Sequence, residues 1–159
     1  VMATVLLTDL VASTERAQQV GDSEWRNLLQ LHEDVSRRCV GDGDGRIVKT
    51  TGDGILATFD SPGKALGCAS ALSRNLDRLG LPVRAGIHTG EIEIRGDDVG
   101  GIGVHIAARV MAAATSAEVL VSRTVRDLVV GSEFTFVDRG AHVLKGIDGE
   151  WQLFALVQR

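Results

Sequence analysis

The chain has 159 residues, of which 44% are hydrophobic and 24% charged, and its net charge is −4 at pH 7. This length suits one domain with a sizeable core, and the composition is that of an ordinary globular protein. A protein that grips nucleic acid backbones would more often carry a basic excess, and no apolar run reaches the ~18 residues that a membrane span needs. We therefore expect one cytoplasmic domain over residues 1–159, without nucleic acid or membrane contacts of its own.

Two cysteines, Cys39 and Cys68, are present, and they share no metal-ligand spacing. We expect both to be buried free thiols in a reducing compartment. The sequence opens at Val1 and Met2 inside what reads as the lead-in to a strand, without a secretory signal pattern. We therefore expect the domain to be part of a longer protein, which could be soluble or membrane-attached.

The first third of the chain predicts a strand, two helices and a hairpin. Residues 3–8 form an apolar run rich in β-formers, and Ser13–Glu15 offer caps for a following helix. An amphipathic helix is predicted from about Ser23 to Val40. Arg46–Thr51 and Ile55–Phe59 are predicted strands, because Asp-Gly between apolar runs favours a tight hairpin.

The rest of the chain predicts a further helix, a strand pair and an α/β extension. Asp60, Ser61 and Pro62 start a helix with a cap and a first-turn proline. Pro82–Thr89 is a predicted strand, with Glu91–Arg95 pairing back after Gly90. The remaining predictions are a glycine-rich loop (96–103), a helix to about Ala114, a strand (118–122), a short helix (124–130) and strands near 134–138 and 152–157.

The element order β, α, β, β, α, β, followed by the extension, predicts the fold class. We expect an α+β, ferredoxin-like antiparallel sheet with helices packed on one face.

Two aspartates stand where predicted elements end. Asp9 closes the first strand, and Asp53 lies at the hairpin tip. Neighbouring strands lie ~5 Å apart, so adjacent strand ends would bring both carboxylates to one pocket. Two carboxylates, completed by phosphate oxygens and water, are a common way to hold magnesium beside a nucleotide. Taken singly, Asp53 could instead be a turn former and Asp9 a helix-capping acid.

Four further charged side chains and a helix start are candidates for binding. The segment Leu10–Thr14 opens a helix whose free N–H groups would favour phosphate. His105 and Arg109 lie four residues apart in a predicted helix and share a face, and Asp98 lies in the glycine-rich loop before them. Lys49 is the lone charge among Ile47, Val48 and two threonines of a predicted strand. Alternatively, Arg109 could be a surface residue with a buried stem, and Lys49 could lie on the exposed face of a half-buried sheet.

Together these pieces resemble the class III nucleotidyl cyclase family, in its bacterial, mycobacterial-type form. Each motif is weak alone, whereas five motifs in this order are highly specific, and the resemblance covers about residues 3–157. The motifs are Thr8 to Thr14 (TDLVAST), Lys49 to Phe59 with Gly52-Asp53 inside it, Gly86 to Gly90 (GIHTG), Asp98 to Arg109 with Val104-His105 and Ala107-Ala108-Arg109, and Leu144-Lys145-Gly146.

The resemblance implies a metal site. Asp9 and Asp53 match the family's two metal-binding aspartates, and the backbone carbonyl of Leu10 commonly joins them. Two divalent ions per site, Mg²⁺ or Mn²⁺, are implied. Ser13 and Thr14 lie at the predicted helix start whose free N–H groups would favour phosphate, and we expect them to bind substrate.

The resemblance also implies how the nucleotide is held. Lys49 and Asp98 match the pair that reads the purine. Adenine offers an acceptor at N1 and a donor at its exocyclic amine, which a Lys donor and an Asp acceptor complement. Guanylyl cyclases usually place Glu and a small residue there, so ATP is expected rather than GTP. Arg109 matches the arginine that stabilises charge on the α-phosphate, and Lys145 the lysine that holds the terminal phosphates.

The implied enzyme is an adenylate cyclase that converts ATP to 3′,5′-cyclic AMP and pyrophosphate. The ribose 3′-oxygen would attack the α-phosphorus in line, assisted by two metal ions. In the family one subunit gives the metal aspartates, and the other gives the purine pair and the arginine. This chain holds both sets, which implies a homodimer with two equivalent interfacial sites.

One position departs from the family pattern. The family usually has Asn where this chain has His105, and that Asn helps to place the ribose together with Arg109. We therefore expect a working enzyme that is slower than members with Asn. The alternative is a catalytically weak or silent cyclase-like domain that binds nucleotide and regulates an attached domain. A diguanylate cyclase is disfavoured, because the Gly-Gly-Asp/Glu-Glu-Phe signature is absent from the sequence.

Overall fold

Seven strands of residues 1–158, the part of the chain that the computed structural model describes, form one sheet in the order β2-β3-β1-β4-β7-β9-β8. Strands β5 and β6 form a separate two-stranded sheet. The strands are β1 (Met2–Leu10), β2 (Arg46–Thr50), β3 (Gly54–Phe59), β4 (Val83–Glu91), β5 (Glu93–Arg95), β6 (Asp98–Gly100), β7 (Val119–Ser122), β8 (Phe136–Val143) and β9 (Glu150–Leu156). The helices are α1 (Ser13–Val20), α2 (Asp22–Asp42), α3 (Pro62–Arg78), α4 (Ile102–Ala113) and α5 (Arg123–Leu128).

The first four strands and the helices between them form the predicted ferredoxin-like unit. β1 lies between β3 and β4 and pairs antiparallel with both, and β2 pairs with β3 at the sheet edge. The α+β fold class is therefore confirmed. The extension adds β7 parallel to β4, which requires the crossover through α4, and then β9 and β8.

Helices cover both faces of the sheet, which differs from the expectation of one face. α2, α3 and α5 pack with Leu6, Ile87 and Val121 in the main core cluster. The alternate residues of the same strands, such as Val5 and Leu120, pack instead with side chains of α4. The fourth helix therefore lies on the opposite face, because the parallel β4–β7 crossover carries it there. We call the two sides the α2–α3 face and the α4 face.

Glycines allow the closest backbone approaches on the α4 face. A Cβ at Gly86 in β4 would lie 2.3 Å from the Met111 amide nitrogen, so α4 rests directly on this strand. A Cβ at Gly54 would lie 1.9 Å from the Thr8 carbonyl oxygen. Larger residues at either glycine would push neighbouring backbone apart, so these positions set how tightly β1, β3, β4 and α4 come together.

Two local predictions are corrected by the backbone. Ser13 does not cap α1: the cap position is Ala12, at φ 54°, and no side chain hydrogen-bonds there. Glu93–Arg95 pairs with β6 rather than back onto β4, because Gly90 continues β4 opposite Ala3 and the reversal comes at Gly96, at φ 61°.

Other local predictions are confirmed. Ser61 caps α3 by accepting a hydrogen bond from the Lys64 amide, a contact worth ~1 kcal/mol. Cys39 and Cys68 are buried free thiols, and burial raises the pKa of Cys68 to about 12. Among residues 1–158, no helix has the length and apolarity to cross a bilayer.

Candidate active site

Asp9 and Asp53 are brought together by the sheet itself. Asp9 is the penultimate residue of β1, and its Cα partner on β3 is Gly54, the residue directly after Asp53. The Leu10 amide donates a hydrogen bond of 2.8 Å to the Asp53 carbonyl. The backbone therefore fixes the predicted adjacency of the two aspartates, without help from their side chains.

The Asp9 carboxylate is held by an arginine that the motif analysis did not single out. Arg84 Nε donates to Asp9 Oδ1 at 3.0 Å, and Arg84 Nη2 donates to Oδ2 at 2.6 Å. The two residues are Cα partners on β1 and β4. The hydrogen bond to Asp9 raises the pKa of Arg84, so the guanidinium stays charged. The only sequence signal was a lone charge at the start of a buried strand, and its partner follows only from the strand register.

Asp53 is held differently, by a neutral hydroxyl. Ser13 Oγ donates to Asp53 Oδ2 at 2.9 Å. Both residues line an open cavity of about 490 Å³ between α1, α2 and the β2–β3 turn, together with Thr14 and Gly52. Ser13 was predicted to bind substrate, and the structure places it on the Asp53 carboxylate as well as on the cavity wall. Thr14 is exposed at the same rim.

The donor set at this strand end fits a divalent ion that is completed by substrate. No group of three or more His, Cys, Asp or Glu residues that could hold a metal occurs within residues 1–158. The protein can therefore supply two carboxylates here, and phosphate and water oxygens must supply the rest, which is typical of magnesium bound with a nucleotide. The Asp9 carboxylate also forms a charge-assisted ion pair with the Arg84 guanidinium.

Lys49 and Asp98 meet although 49 residues separate them. Lys49 Nζ lies 3.3 Å from Asp98 Oδ2, and the two side chains are 49% and 51% exposed. The β2–β3 register shifts between Ile47 and Lys49, a bulge of the kind that redirects a side chain. The hydrogen bond from the Val99 amide, followed by the one from Lys49, lowers the pKa of Asp98. This pair presents one donor and one acceptor side by side to solvent.

His105 and Arg109 share a face of α4, as predicted. Arg109 Nε donates to His105 Nε2 at 3.4 Å, so the imidazole is the acceptor in this contact. A Cβ at Gly146 would lie 3.1 Å from His105 Cε1. Leu144 is buried against α4, and the turn that carries exposed Lys145 therefore lies beside the His105 ring.

The predicted residues form three groups rather than one. These are Asp9 with Asp53 and Ser13, Lys49 with Asp98, and His105 with Arg109 beside the Lys145 turn. Across residues 1–158, no hydrogen bond or ion pair joins one group to another. Each group is assembled within the chain.

Comparison with known proteins assigns the family. The family model for the adenylate and guanylate cyclase catalytic domain matches residues 2–158. A Rhizobium meliloti (strain 1021) protein, whose name provisionally assigns it as adenylate cyclase 3, is 32% identical over 157 residues, which is 92% of this chain. The chain spans 27% of the length of that relative.

Solved structures agree with this assignment. An adenylate/guanylate cyclase/hydrolase from Silicibacter pomeroyi is 25% identical, with a TM-score of 0.89 over 100% of this chain and 98% of that one. A guanylate cyclase domain from Catenaria anguillulae, solved with GTP, is 17% identical and shows the same fold, with a TM-score of 0.88 over 99% of this chain and 97% of that one. The chain therefore belongs to the adenylate and guanylate cyclase catalytic domain family, the class III nucleotidyl cyclases.

Proposed function

We propose that this nucleotidyl cyclase domain acts on ATP and forms 3′,5′-cyclic AMP and pyrophosphate. The observation that carries the choice of adenine is the Lys49–Asp98 pair. Its half-exposed ammonium and carboxylate lie 3.3 Å apart. A donor beside an acceptor complements N1 and the exocyclic amine of adenine, whereas guanine reverses the polarity of both atoms.

The reaction needs no protein nucleophile. The bond that forms joins the ribose 3′-oxygen to the α-phosphorus, and the bond that breaks releases pyrophosphate. Asp9 and Asp53, with the Leu10 carbonyl, would hold two Mg²⁺ or Mn²⁺ ions, which supply charge neutralisation and an activated 3′-oxygen when bound. Arg109 would stabilise charge on the α-phosphate, and Lys145, in the turn beside His105, would hold the terminal phosphates.

The turn after β1 and the α4 side chains would orient the substrate. Thr14 and the N–H groups at the start of α1 line the 490 Å³ cavity beside Asp53, where phosphate oxygens would be favoured. Ser13 would keep one Asp53 oxygen in place. His105 would set the position of Arg109 through the 3.4 Å contact between them. In this proposal these residues act at the phosphate end of ATP, while Lys49 and Asp98 bind its base.

The active form that we propose is a homodimer with two equivalent sites. Support comes from the presence of both residue sets in one chain, and in residues 1–158 no ion pair or hydrogen bond holds Asp9 and Asp53 to Lys49, Asp98 or Arg109. A second copy, related by two-fold symmetry, would place its purine pair and arginine opposite the first copy's aspartates. A monomer would then hold two half-sites and no whole one.

The first test is an assay with ATP or GTP and manganese at several protein concentrations. We expect cyclic AMP, a specific activity that rises with protein concentration, and preference for ATP. Cyclic GMP as the main product would contradict the reading of Lys49 and Asp98. Activity per protein that does not change on dilution to nanomolar concentrations would argue against a shared site in a reversible dimer.

Mixing two inactive variants tests the shared site directly. Asp9→Ala and Arg109→Ala remove residues that the proposal assigns to opposite subunits of each site. In an equal mixture half of the dimers are heterodimers with one intact site, so about a quarter of wild-type activity should return. Two variants from the same half-site, Asp9→Ala with Asp53→Ala, provide the control, and their mixture should stay inactive.

A catalytically weak or silent nucleotide-binding domain is the second candidate. The observation that favours it is His105, an imidazole where the family usually has Asn. Isothermal titration calorimetry with ATP and manganese distinguishes the two. Binding without product, in a preparation shown to be dimeric, would select this second candidate.

A further inference from the structure

We propose that Arg84 is the resident counter-cation of Asp9 and that a divalent ion must displace it, so that Arg84 weakens metal binding to the nucleotide-free domain. This inference rests on the metal site of the proposed function. It adds a residue that neither the motifs nor the family match assigned, and it predicts a competition that can be measured without turnover.

Both oxygens of Asp9 are occupied. Arg84 Nε reaches Oδ1 at 3.0 Å and Nη2 reaches Oδ2 at 2.6 Å, which is the parallel two-bond geometry of strong arginine–carboxylate pairs. The side chains are only 32% and 24% exposed, so solvent screens the pair incompletely. A metal ion that binds either Asp9 oxygen would lie close to the charged guanidinium, which would repel it.

The contact is built into the sheet. Asp9 and Arg84 are Cα partners on antiparallel β1 and β4, so their side chains leave the same face at the same level. The strand pair is continuous from Met2 with Glu91 to Leu10 with Val83. The pairing of the two side chains therefore follows from the register and does not depend on a chance rotamer of an exposed loop.

The guanidinium has a second acceptor that a metal would leave untouched. Arg84 Nη1 donates to the Ala112 carbonyl at 3.2 Å. Ala112 is the penultimate residue of α4, so its carbonyl is one of the four without an intrahelical partner and carries part of the negative helix end. After Asp9 is taken by a metal, Arg84 can keep this contact, so displacement costs less than full release to solvent.

The other aspartate lacks such a competitor. Asp53 receives a neutral hydroxyl from Ser13 on Oδ2, and an O–H donor does not repel an incoming cation. The two aspartates therefore differ in how easily they can bind a metal ion in the nucleotide-free domain. Asp53 can bind without losing an ion pair, whereas Asp9 becomes a ligand only when its ion pair with Arg84 opens.

Manganese binding to the nucleotide-free domain tests the competition. The free Mn²⁺ signal in electron paramagnetic resonance gives Kd for wild type, Arg84→Gln, Arg84→Lys and Asp9→Asn. We expect Arg84→Gln to lower Kd by roughly threefold to tenfold, as for loss of a partly exposed charge pair. Arg84→Lys should fall between, because a lysine keeps the charge and loses the two-bond geometry. Asp9→Asn should weaken binding.

A matched control removes the same charge elsewhere. Arg123 lies 3.5 Å from Asp127 within α5, on the side of the sheet opposite to Arg84, and Arg123→Gln should leave Kd unchanged. Circular dichroism and thermal unfolding verify that each variant is folded. If Arg84→Gln does not fold, Arg84→Lys must still bind manganese more tightly than wild type.

The outcomes separate this inference from the proposed function. An unchanged or higher Kd in the folded Arg84 variants, with Asp9→Asn weakened, would overturn the competition and leave the metal site standing. Arg84 would then position Asp9 for metal. Binding of Mn²⁺ that Asp9→Asn does not alter, or no binding to either wild type or Arg84→Gln, would overturn the metal site and this inference together.

Discussion

The two faces of the seven-stranded sheet are built from different kinds of side chains. The α2–α3 face holds the main apolar core, in which residues such as Leu6, Leu66, Leu72 and Ile87 are fully buried, together with the buried polar residues His32, Ser36 and Ser73. The α4 face contains glycines at its closest approaches, the buried polar His88, and the Arg84–Asp9 pair. Every charged residue assigned to chemistry on β1 or β4 lies on the α4 face.

Because the two faces differ in this way, substitutions on them should have different consequences for stability and for activity. On the α2–α3 face a lost methylene group costs packing energy and little else. On the α4 face the backbones are close because the residues are small, and polar groups survive only where they have partners. We therefore expect substitutions on the α4 face to act on both folding and activity. Four experiments, in decreasing order of expected effect, probe this face and the neighbouring Asp53 site.

The largest effect is expected at Gly86. A Cβ there would overlap the Met111 backbone, with its nearest atom at 2.3 Å, so Gly86→Ala should destabilise the domain by roughly 3 kcal/mol. Gly67 in α3 is the control, because nothing lies within 4 Å of its Cβ position. Gly67→Ala should stabilise by about 0.5–1 kcal/mol. Urea denaturation gives the free energy of unfolding of both variants. Equal changes for Gly86→Ala and Gly67→Ala would contradict the proposed difference between the two faces.

The second effect is a loss of stability in acid through His88. His88 Nδ1 bonds Ser122 Oγ at 2.7 Å, and burial lowers the pKa of His88 to about 4. A histidine with a lowered folded pKa contributes its full stability above about pH 6.5 and loses it as pH falls toward 4. Between pH 8 and 5 this amounts to about 2 kcal/mol. Urea titrations at both pH values give the difference.

The control for this loss is His88→Gln, which cannot take up a proton. Its stability should change less between pH 8 and 5 than that of wild type. Some loss should remain, because burial also lowers the pKa of His32 on the α2–α3 side of the sheet. A variant with the same acid loss as wild type would show that His88 does not titrate on unfolding.

The third effect concerns His105. We expect His105→Asn to raise turnover by roughly threefold to tenfold, since ~1 kcal/mol of transition-state positioning is at stake. Steady-state kinetics with ATP and manganese give kcat and KM. A lower or unchanged kcat would contradict the view that His105 slows the enzyme.

The smallest effect is expected at Ser13. Ser13→Ala removes the 2.9 Å hydrogen bond to Asp53 Oδ2 without changing charge or volume much. A single neutral hydrogen bond contributes about 1 kcal/mol, so manganese affinity should fall by roughly twofold to fivefold. Ser13→Thr keeps the hydroxyl and should stay close to wild type. Equal affinities of the Ala variant and wild type would leave Ser13 with a role on the cavity wall alone.

The elements near Asp9 and Asp53 could be predicted from sequence because their signals are local. The apolar run before Asp9 and the Asp-Gly hairpin at Asp53 each specify their own geometry, and the ferredoxin-like order then makes them neighbours. The meeting of Lys49 and Asp98 needed the family resemblance, since 49 residues separate them. No local sequence pattern indicates Arg84, because its pairing with Asp9 depends on the register between β1 and β4.

The remaining errors have a common physical cause. Which face α4 covers is decided by the crossover between parallel β4 and β7, and the helix sequence is apolar enough to fit either side. The pairing of β5 with β6 was missed because Gly90 looked like a break. In the structure Gly90 stays extended opposite Ala3, and the chain reverses at Gly96. The side of the sheet that α4 covers and the partner strand of β5 both depend on tertiary contacts, which local sequence patterns do not show.

The bulge in β2 has a consequence for solubility. β2 is an edge of the sheet, and an exposed regular edge invites another chain to add a strand. The register shift between Ile47 and Lys49 breaks that regularity, and Arg46 donates to the Asp97 carbonyl at 3.1 Å, so the β5–β6 hairpin lies across the edge. The irregularity that turns Lys49 toward Asp98 thus also makes this edge a poor template for aggregation.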